Sequence, residues 1–349
     1  MNACLLITDD VHRGRRLASD LAECGMWRVH DLYGERAPAA GARLILSDVE
    51  GLHSDALVRL RRILDRARGK GVPYLFLVHR NAARAEAQAR VLGATDTLAA
   101  TSAARLITDK LATMVKAGST EVAARKQAVR AKSFLTAAFF SDQPITPAVA
   151  ETGTELIVQA IRETDINDWV QAVQRFDDVT HQHCLLVAGL AAAFSGSLGF
   201  SMADRHHLAK AALLHDVGKT KIPTAILNKP GKLDEAEIAV MRTHPVEGYA
   251  MLVRGGFDAS LLSVVRSHHE MLDGSGYPDR LKRAEIPDLI RLVTICDIHA
   301  ALIERRPYKA PMNATRAYAI LESMAGRLDA DLVRAFRPVA VVSDIVTVH

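Results

Sequence analysis

The run Leu213-Leu214-His215-Asp216-Val217-Gly218-Lys219 ends an apolar helical stretch on two adjacent side chains able to bind metal, with one valine between them and a glycine. Ionisable groups are costly to bury unless they are paired, hydrogen-bonded or coordinated, so this pair restricts the fold more than any other feature. Neighbouring residues rarely share one ion on an ideal helix. They can do so where a helix ends, and a carboxylate there can also bridge two ions. Further candidates follow the same logic: His183 near a helix start, His244 in Thr243-His244-Pro245, the pair His268-His269, and Asp297 within Leu292-Val293-Thr294-Ile295-Cys296-Asp297. Taken singly, each His reads as an ordinary core or surface residue. As a set on successive apolar helices they are hard to explain by packing, and imidazole with carboxylate suits Fe, Mn, Zn, Ni or Co rather than Ca.

At 349 residues the chain exceeds a typical domain of roughly 100–200 residues, and its two halves have different textures. Cys4-Leu5-Leu6-Ile7, Leu44-Ile45-Leu46 and Tyr74-Leu75-Phe76-Leu77-Val78 read as short strands separated by amphipathic helical stretches such as Ser54 to Arg68. Right-handed crossovers then give an α/β, doubly wound parallel sheet over residues 1–118, with functional residues at the strands' carboxyl ends. Few helix breakers occur between Ser119 and Phe140, which predicts a helical connector over 119–147 whose apolar positions are too irregular for a coiled coil. From 148 to 349 the pattern is all-α, with helices over Ala148–Arg162, His183–Leu198 and Met202–Leu214. The closing Val339-Ala340-Val341-Val342 and Ile345-Val346 read as a small strand or tail.

Composition excludes several functions. No stretch approaches the roughly 20 apolar residues of a membrane span, and the start lacks the basic-then-apolar order of a signal peptide, so a cytoplasmic protein without a membrane partner is expected. The net charge is only +4, with basic and acidic residues interleaved, which gives nucleic-acid binding little support. Cys4, Cys24, Cys184 and Cys296 form no C-x-x-C pair and read as small apolar residues.

In the first half, Asp9, Asp10 and Asp48 fall at strand carboxyl ends. This region resembles a response-regulator receiver, in which Asp48 would be the phosphoacceptor and the acidic pair would hold Mg²⁺. The hydroxyl residue and the lysine of that family fall instead near Val78-His79 and Ala99-Ala100. A degenerate receiver used for dimerisation or partner contact is therefore expected.

The second half resembles the HD-GYP branch of the HD phosphohydrolase superfamily over roughly residues 150–325. The resemblance is carried by the His-Asp pair and by Ile222-Pro223, Ile226 to Leu233, His268-His269-Glu270, Asp273-Gly274-Ser275-Gly276-Tyr277-Pro278 and Arg306-Pro307-Tyr308-Lys309, all in the family's order. It implies metal ligands at His183, His215, Asp216, His244, His268, His269 and Asp297, with Asp216 bridging two divalent transition metals, Fe or Mn ahead of Ni, Co or Zn. Val179 stands where some members place the glutamate of a third ion, and Ala300 where an Asp is frequent.

The resemblance further implies a phosphodiesterase that opens cyclic di-GMP to pGpG and continues to GMP in some cases, through a bridging hydroxide on the dinuclear centre. Lys219, Arg306 and Lys309 match phosphate-contacting positions, Tyr308 matches a base contact, and Lys219 is also placed to protonate the departing oxygen. Gly276, Tyr277 and Pro278 would form a rigid loop beside the site, used in the family for contacts with diguanylate cyclase (GGDEF) domains. Homodimerisation through the first domain or connector is a further expectation. The alternatives are an inactive nucleotide sensor or scaffold, and an HD hydrolase acting on pGpG or another nucleotide.

Overall fold

The computed structural model describes the chain apart from residues 1–2, 36, 39–40, 70, 80–81, 140–143, 177, 306–310 and 342–349. It divides into two compact units, residues 1–119 and 120–349.

In the first unit the order is β1 (Cys4–Thr8), α1 (Val11–Asp20), β2 (Trp27–Asp31), β3 (Ile45–Asp48), α2 (Ser54–Ala67), β4 (Tyr74–Val78), α3 (Ala82–Val91), β5 (Asp96–Ala99) and the start of α4 (Ala104–Phe139). The five strands are all parallel, in the order β2-β1-β3-β4-β5. Side chains alternate across the sheet as the period of two requires. Leu5, Ile7, Ile45, Tyr74 and Phe76 pack under α2 and α3, while Cys4, Leu6, Leu46, Leu75 and Leu77 pack with Ile107, Leu111 and Met114 of α4. The central strands are buried on both faces and so read as apolar runs. The edge strands β2 and β5 are only partly buried and mix polar with apolar residues, which is why β2 gave no strand signal.

The second unit begins within α4, whose later residues Ala124, Ala128, Ala131 and Leu135 are buried in this unit's own core. It continues with α5 (Pro147–Glu163), α6 (Ile166–Val173), α7 (Val179–Ser197), α8 (Met202–Leu214), α9 (Thr224–Leu227), α10 (Glu235–Met241), α11 (His244–Leu252), α12 (Ala259–Ser267), α13 (Asp288–Ile303), α14 (Ala314–Ser323) and α15 (Ala330–Ala340). Residues Cys184 to Ala191 of α7 are buried without interruption, the signature of a helix surrounded by others; α5, α6, α8, α13 and α15 pack around it. Val339 and Ala340 do not form the expected closing strand. They end α15, whose Val333, Phe336, Val339 and Ala340 face the core at helical spacing, and Ile345-Val346 lie outside the described residues. No helix among the described residues is long and apolar enough to cross a membrane.

Candidate metal centre

The histidines converge because each sits at a helix end or faces inward from a buried helix. His215 closes α8, His244 opens α11 and His268 closes α12. In each, Nδ1 lies against a backbone carbonyl three residues earlier: His215 on Ala212 at 2.6 Å, His244 on Met241 at 2.7 Å, His268 on Val265 at 3.1 Å. A carbonyl only accepts, so Nδ1 carries the proton and Nε2 presents a lone pair to the interior. His183, on α7, donates Nδ1–H to the Glu304 carboxylate at 2.9 Å and likewise points Nε2 inward.

Asp216 stands between these rings. Its Oδ1 lies 3.1 Å from His244 Nε2 and 3.7 Å from His268 Nε2, and its Oδ2 lies 3.3 Å from His215 Nε2 and 3.4 Å from His183 Nε2. Asp297 adds a second carboxylate, with Oδ1 3.0 Å from His183 Nε2 and Oδ2 3.6 Å from His269 Nδ1. Two compact donor groups result: Asp216, His244, His268 and His269, and His183, His215 and Asp297. The structure thus brings all seven expected ligands together.

These residues fit divalent metal. His244 Nε2 and His268 Nε2 are 3.3 Å apart, two lone pairs facing each other once both Nδ1 protons are committed. His215 Nε2 and Asp216 Oδ1 are buried without a hydrogen-bond partner, and such groups are expensive unless something coordinates them. Electrostatics agree. Burial pushes His268 well down and His269 to about 3, which keeps both rings neutral and able to coordinate. Burial would raise Asp216, but Lys219 and His215 outweigh it and hold the carboxylate ionised. His183 departs from this pattern: burial disfavours charge on it, yet its bonds to Asp297 and Glu304 win and push it up to about 9, so an ion must displace the Nε2 proton to use this ring.

Lys219 leaves the same turn as Asp216 and places Nζ 2.5 Å from Asp216 Oδ2. Gly218 between them permits the turn. A Cβ there would fall 2.0 Å from the His244 carbonyl oxygen and 2.5 Å from Gly248 N, so only glycine lets the helix carrying His244 reach Asp216.

On the opposite wall, the Glu270 carboxylate is buried and accepts the backbone N–H groups of Asp279, Arg280 and Leu281 at 2.7, 2.9 and 3.0 Å. It fixes the loop carrying Gly276, Tyr277 and Pro278. Tyr277 on this loop turns toward the donor rings. Its ring stacks on His269 at 4.7 Å, and the Arg242 guanidinium lies 5.1 Å from its centroid. The motif that orders this chain's loop therefore also holds a donor ring. Glu270, Glu304 and Arg242 were not singled out as site residues; Glu270 could have been, because it adjoins the paired histidines.

Arg306, Tyr308 and Lys309 lie outside the described residues. In the first unit the acids at the sheet's carboxyl edge have other partners. Asp10 caps α1 through His12 and Arg13 N–H. Asp9 accepts Glu50 N–H and Gly51 N–H at 2.9 Å each, and Arg13 Nη2 at 2.5 Å. Asp48 receives Arg13 Nε at 2.7 Å on one oxygen and faces His79 Nε2 at 2.6 Å on the other. Both carboxylate oxygens of Asp48 are thus engaged by side chains of this unit.

Comparison with known proteins places this centre. Residues 162–332 match the family profile described as HD domain. The chain is 37% identical over 161 residues to a cyclic di-GMP phosphodiesterase of Pseudomonas aeruginosa, covering 46% of this chain and 39% of that protein. It is 37% identical over 163 residues to a cyclic di-GMP phosphodiesterase of Thermotoga maritima, covering 46% and 44%. It is 41% identical over 143 residues to a 3'3'-cGAMP-specific phosphodiesterase of Vibrio cholerae, covering 41% and 31%. The chain spans less than half the length of each of these relatives. The matched segment contains all seven clustered donors, and residues 162–332 are an HD domain.

Proposed function

We propose that this chain is a metal-dependent phosphodiesterase of the HD-GYP branch that opens cyclic di-GMP to the linear pGpG. The observation that carries the reading is the placement of Asp216, whose two carboxylate oxygens face different histidine pairs across a buried centre. His183, His215 and Asp297 would hold one divalent ion, His244, His268 and His269 another, with Asp216 shared; the donor chemistry favours Fe or Mn. Bound ions would supply a water-derived nucleophile at neutral pH and neutralise phosphate oxygens.

The remaining steps fall to the chain itself. Neutral His268 and His269 keep their lone pairs on the centre. Glu270 and Gly276 keep the loop closed against His269. Lys219 is the nearest cation to Asp216; released from that carboxylate as charge moves onto a bound phosphodiester, its ammonium would donate to the departing 3'-oxygen. Val179, in place of a carboxylate, supports two ions rather than three.

A second reading, hydrolysis of 3'3'-cGAMP, is favoured by the Vibrio cholerae relative. Anaerobic turnover after separate loading with Fe²⁺ and Mn²⁺, with cyclic di-GMP, 3'3'-cGAMP and pGpG compared and metal counted in the same samples, separates these readings. Faster opening of cyclic di-GMP with about two ions per chain supports the first. Faster opening of 3'3'-cGAMP supports the second. Metal-loaded protein that binds nucleotide without cleaving it would make the chain a sensor.

For the first unit, we propose a receiver-like domain in which Arg13 neutralises Asp48 internally and His79 hydrogen-bonds its other oxygen. The guanidinium lies between Asp9 and Asp48, where a receiver of this topology would hold its ion, so contact with a partner rather than phosphotransfer is the reading it supports.

A further inference from the structure

We infer that Glu304 is a positioning residue for the metal centre, acting through His183 to hold the ion shared by His183, His215 and Asp297. The inference rests on the metal-centre reading above and adds to it a residue outside the donor set. Glu304 closes α13, the helix that also carries Asp297 seven residues earlier. Seven residues are close to two helical turns, so both carboxylates lie on one face, and they grip the His183 ring from opposite sides. Asp297 Oδ1 is 3.0 Å from Nε2 and Glu304 Oε2 is 2.9 Å from Nδ1.

Glu304 is a built feature. It is buried, with 3% of its surface exposed, although a free carboxylate would be expelled to water. Its backbone is held on both sides: Gln174 Nε2 donates to the Ile303 carbonyl at 2.7 Å, and Arg305 N–H donates to Gln182 Oε1 at 2.7 Å. Gln182 is itself buried, immediately precedes His183 on α7, and donates to the Phe176 carbonyl at 2.8 Å. The segment that delivers the carboxylate is thereby tied to the helix that delivers the imidazole. Ala300, on the same helix, offers no carboxylate of its own, and Glu304 supplies the outer partner from one turn further on.

The physical role follows from the other histidines. His215, His244 and His268 fix their tautomers on backbone carbonyls, whereas His183 uses a charged acceptor, which orients the ring and increases electron donation from Nε2. Loss of such an outer partner costs about 10–100-fold in metal affinity.

The test is anaerobic Co²⁺ titration of the wild-type chain and of Glu304→Gln and Glu304→Ala, read by visible absorption and chelator competition, with thermal melting of the metal-free proteins as the fold control. One of two binding steps is expected to weaken about 10–100-fold in both variants. The same loss should appear on a His244→Ala background and vanish on a His215→Ala background, where that ion is already lost. Unchanged binding in Glu304→Gln, or equal weakening of both steps, overturns the inference. Should Glu304→Ala fail to fold, Glu304→Gln, which keeps the side chain's shape, decides alone. A wild-type chain that takes up no divalent ion would instead remove the metal-centre reading itself.

Discussion

Gly276 lies directly against Glu270: a Cβ added to the glycine would come within 2.4 Å of the Glu270 Cα, 2.5 Å of Met271 N and 2.6 Å of the His269 carbonyl oxygen. The loop thus folds back onto the backbone that presents the paired histidines, and its approach admits no side chain. Gly276→Ala is expected to push the loop outward, separate Tyr277 from His269 and cost about 1–3 kcal/mol, the usual penalty of overpacking. Denaturant unfolding measures the cost, and metal counting shows whether the donor ring moved. Stability and metal content equal to wild type would mean that the loop position is unimportant.

The two histidine groups should be separable. His215→Ala removes a donor from the set with His183 and Asp297, and His244→Ala one from the set with His268 and His269. Each is expected to lose about one of two ions and to reduce turnover by more than the 10–100-fold that follows loss of an outer partner. Metal analysis of the purified variants checks this; retention of both ions in either would show that the ring is not a ligand.

Lys219→Met should leave metal content intact, since Lys219 contacts the centre only through Asp216, and should lower kcat by about 10²–10⁴-fold if its ammonium is the general acid. Faster reaction with a substrate whose leaving oxygen needs no proton would recover most of that loss. An equal loss on both substrates would leave Lys219 a counter-charge for Asp216.

Asp48 gives the first unit a defined acid response. Burial alone would raise its pKa, but the hydrogen bonds with His79 and Arg13 outweigh burial and hold it below the ordinary range. A carboxylate depressed in the folded state stabilises above its unfolded value of about 3.9, and that contribution is lost as pH falls below it. Unfolding of the first unit should therefore become easier below about pH 4, and Asp48→Asn should flatten this dependence. Arg13→Ala, which removes a charged partner from both Asp9 and Asp48, is expected to cost about 1.5–3 kcal/mol at neutral pH. Phosphorylation of wild-type Asp48 by acetyl phosphate would show that Arg13 yields to metal and phosphate, contrary to the internal-neutralisation reading.

Much of this molecule was legible before any coordinates. The central strands β1, β3 and β4 could be read because both faces are buried and their residues are apolar without interruption. The cluster of His and Asp could be read because such residues in apolar helical runs have few uses apart from one another's company or a metal, and because they recur in order from His183 to Asp297. Glycine after the His-Asp pair and within the later loop was also visible, although its reason was not. Gly274 does take the left-handed conformation, at φ 79°, whereas Gly218 and Gly276 are required by what lies against them.

Tertiary structure alone decided the rest, because it depends on residues far apart in the chain. That Glu304 stands behind His183, 121 residues away, follows from the packing of α13 on α7 and from the glutamine contacts that tie their ends. That Tyr277 covers His269 follows from Glu270 gathering three backbone N–H groups, and that Asp48 is engaged on both oxygens follows from Arg13 reaching it from the first turn of α1 and His79 from the end of β4. Sequence determined which groups are present and which helices and strands carry them, since periodicity and burial are local. Which partner each buried charge finds was settled only by the fold, since a charge in a low-dielectric interior is stabilised by what stands within a few ångströms of it, wherever that lies along the chain.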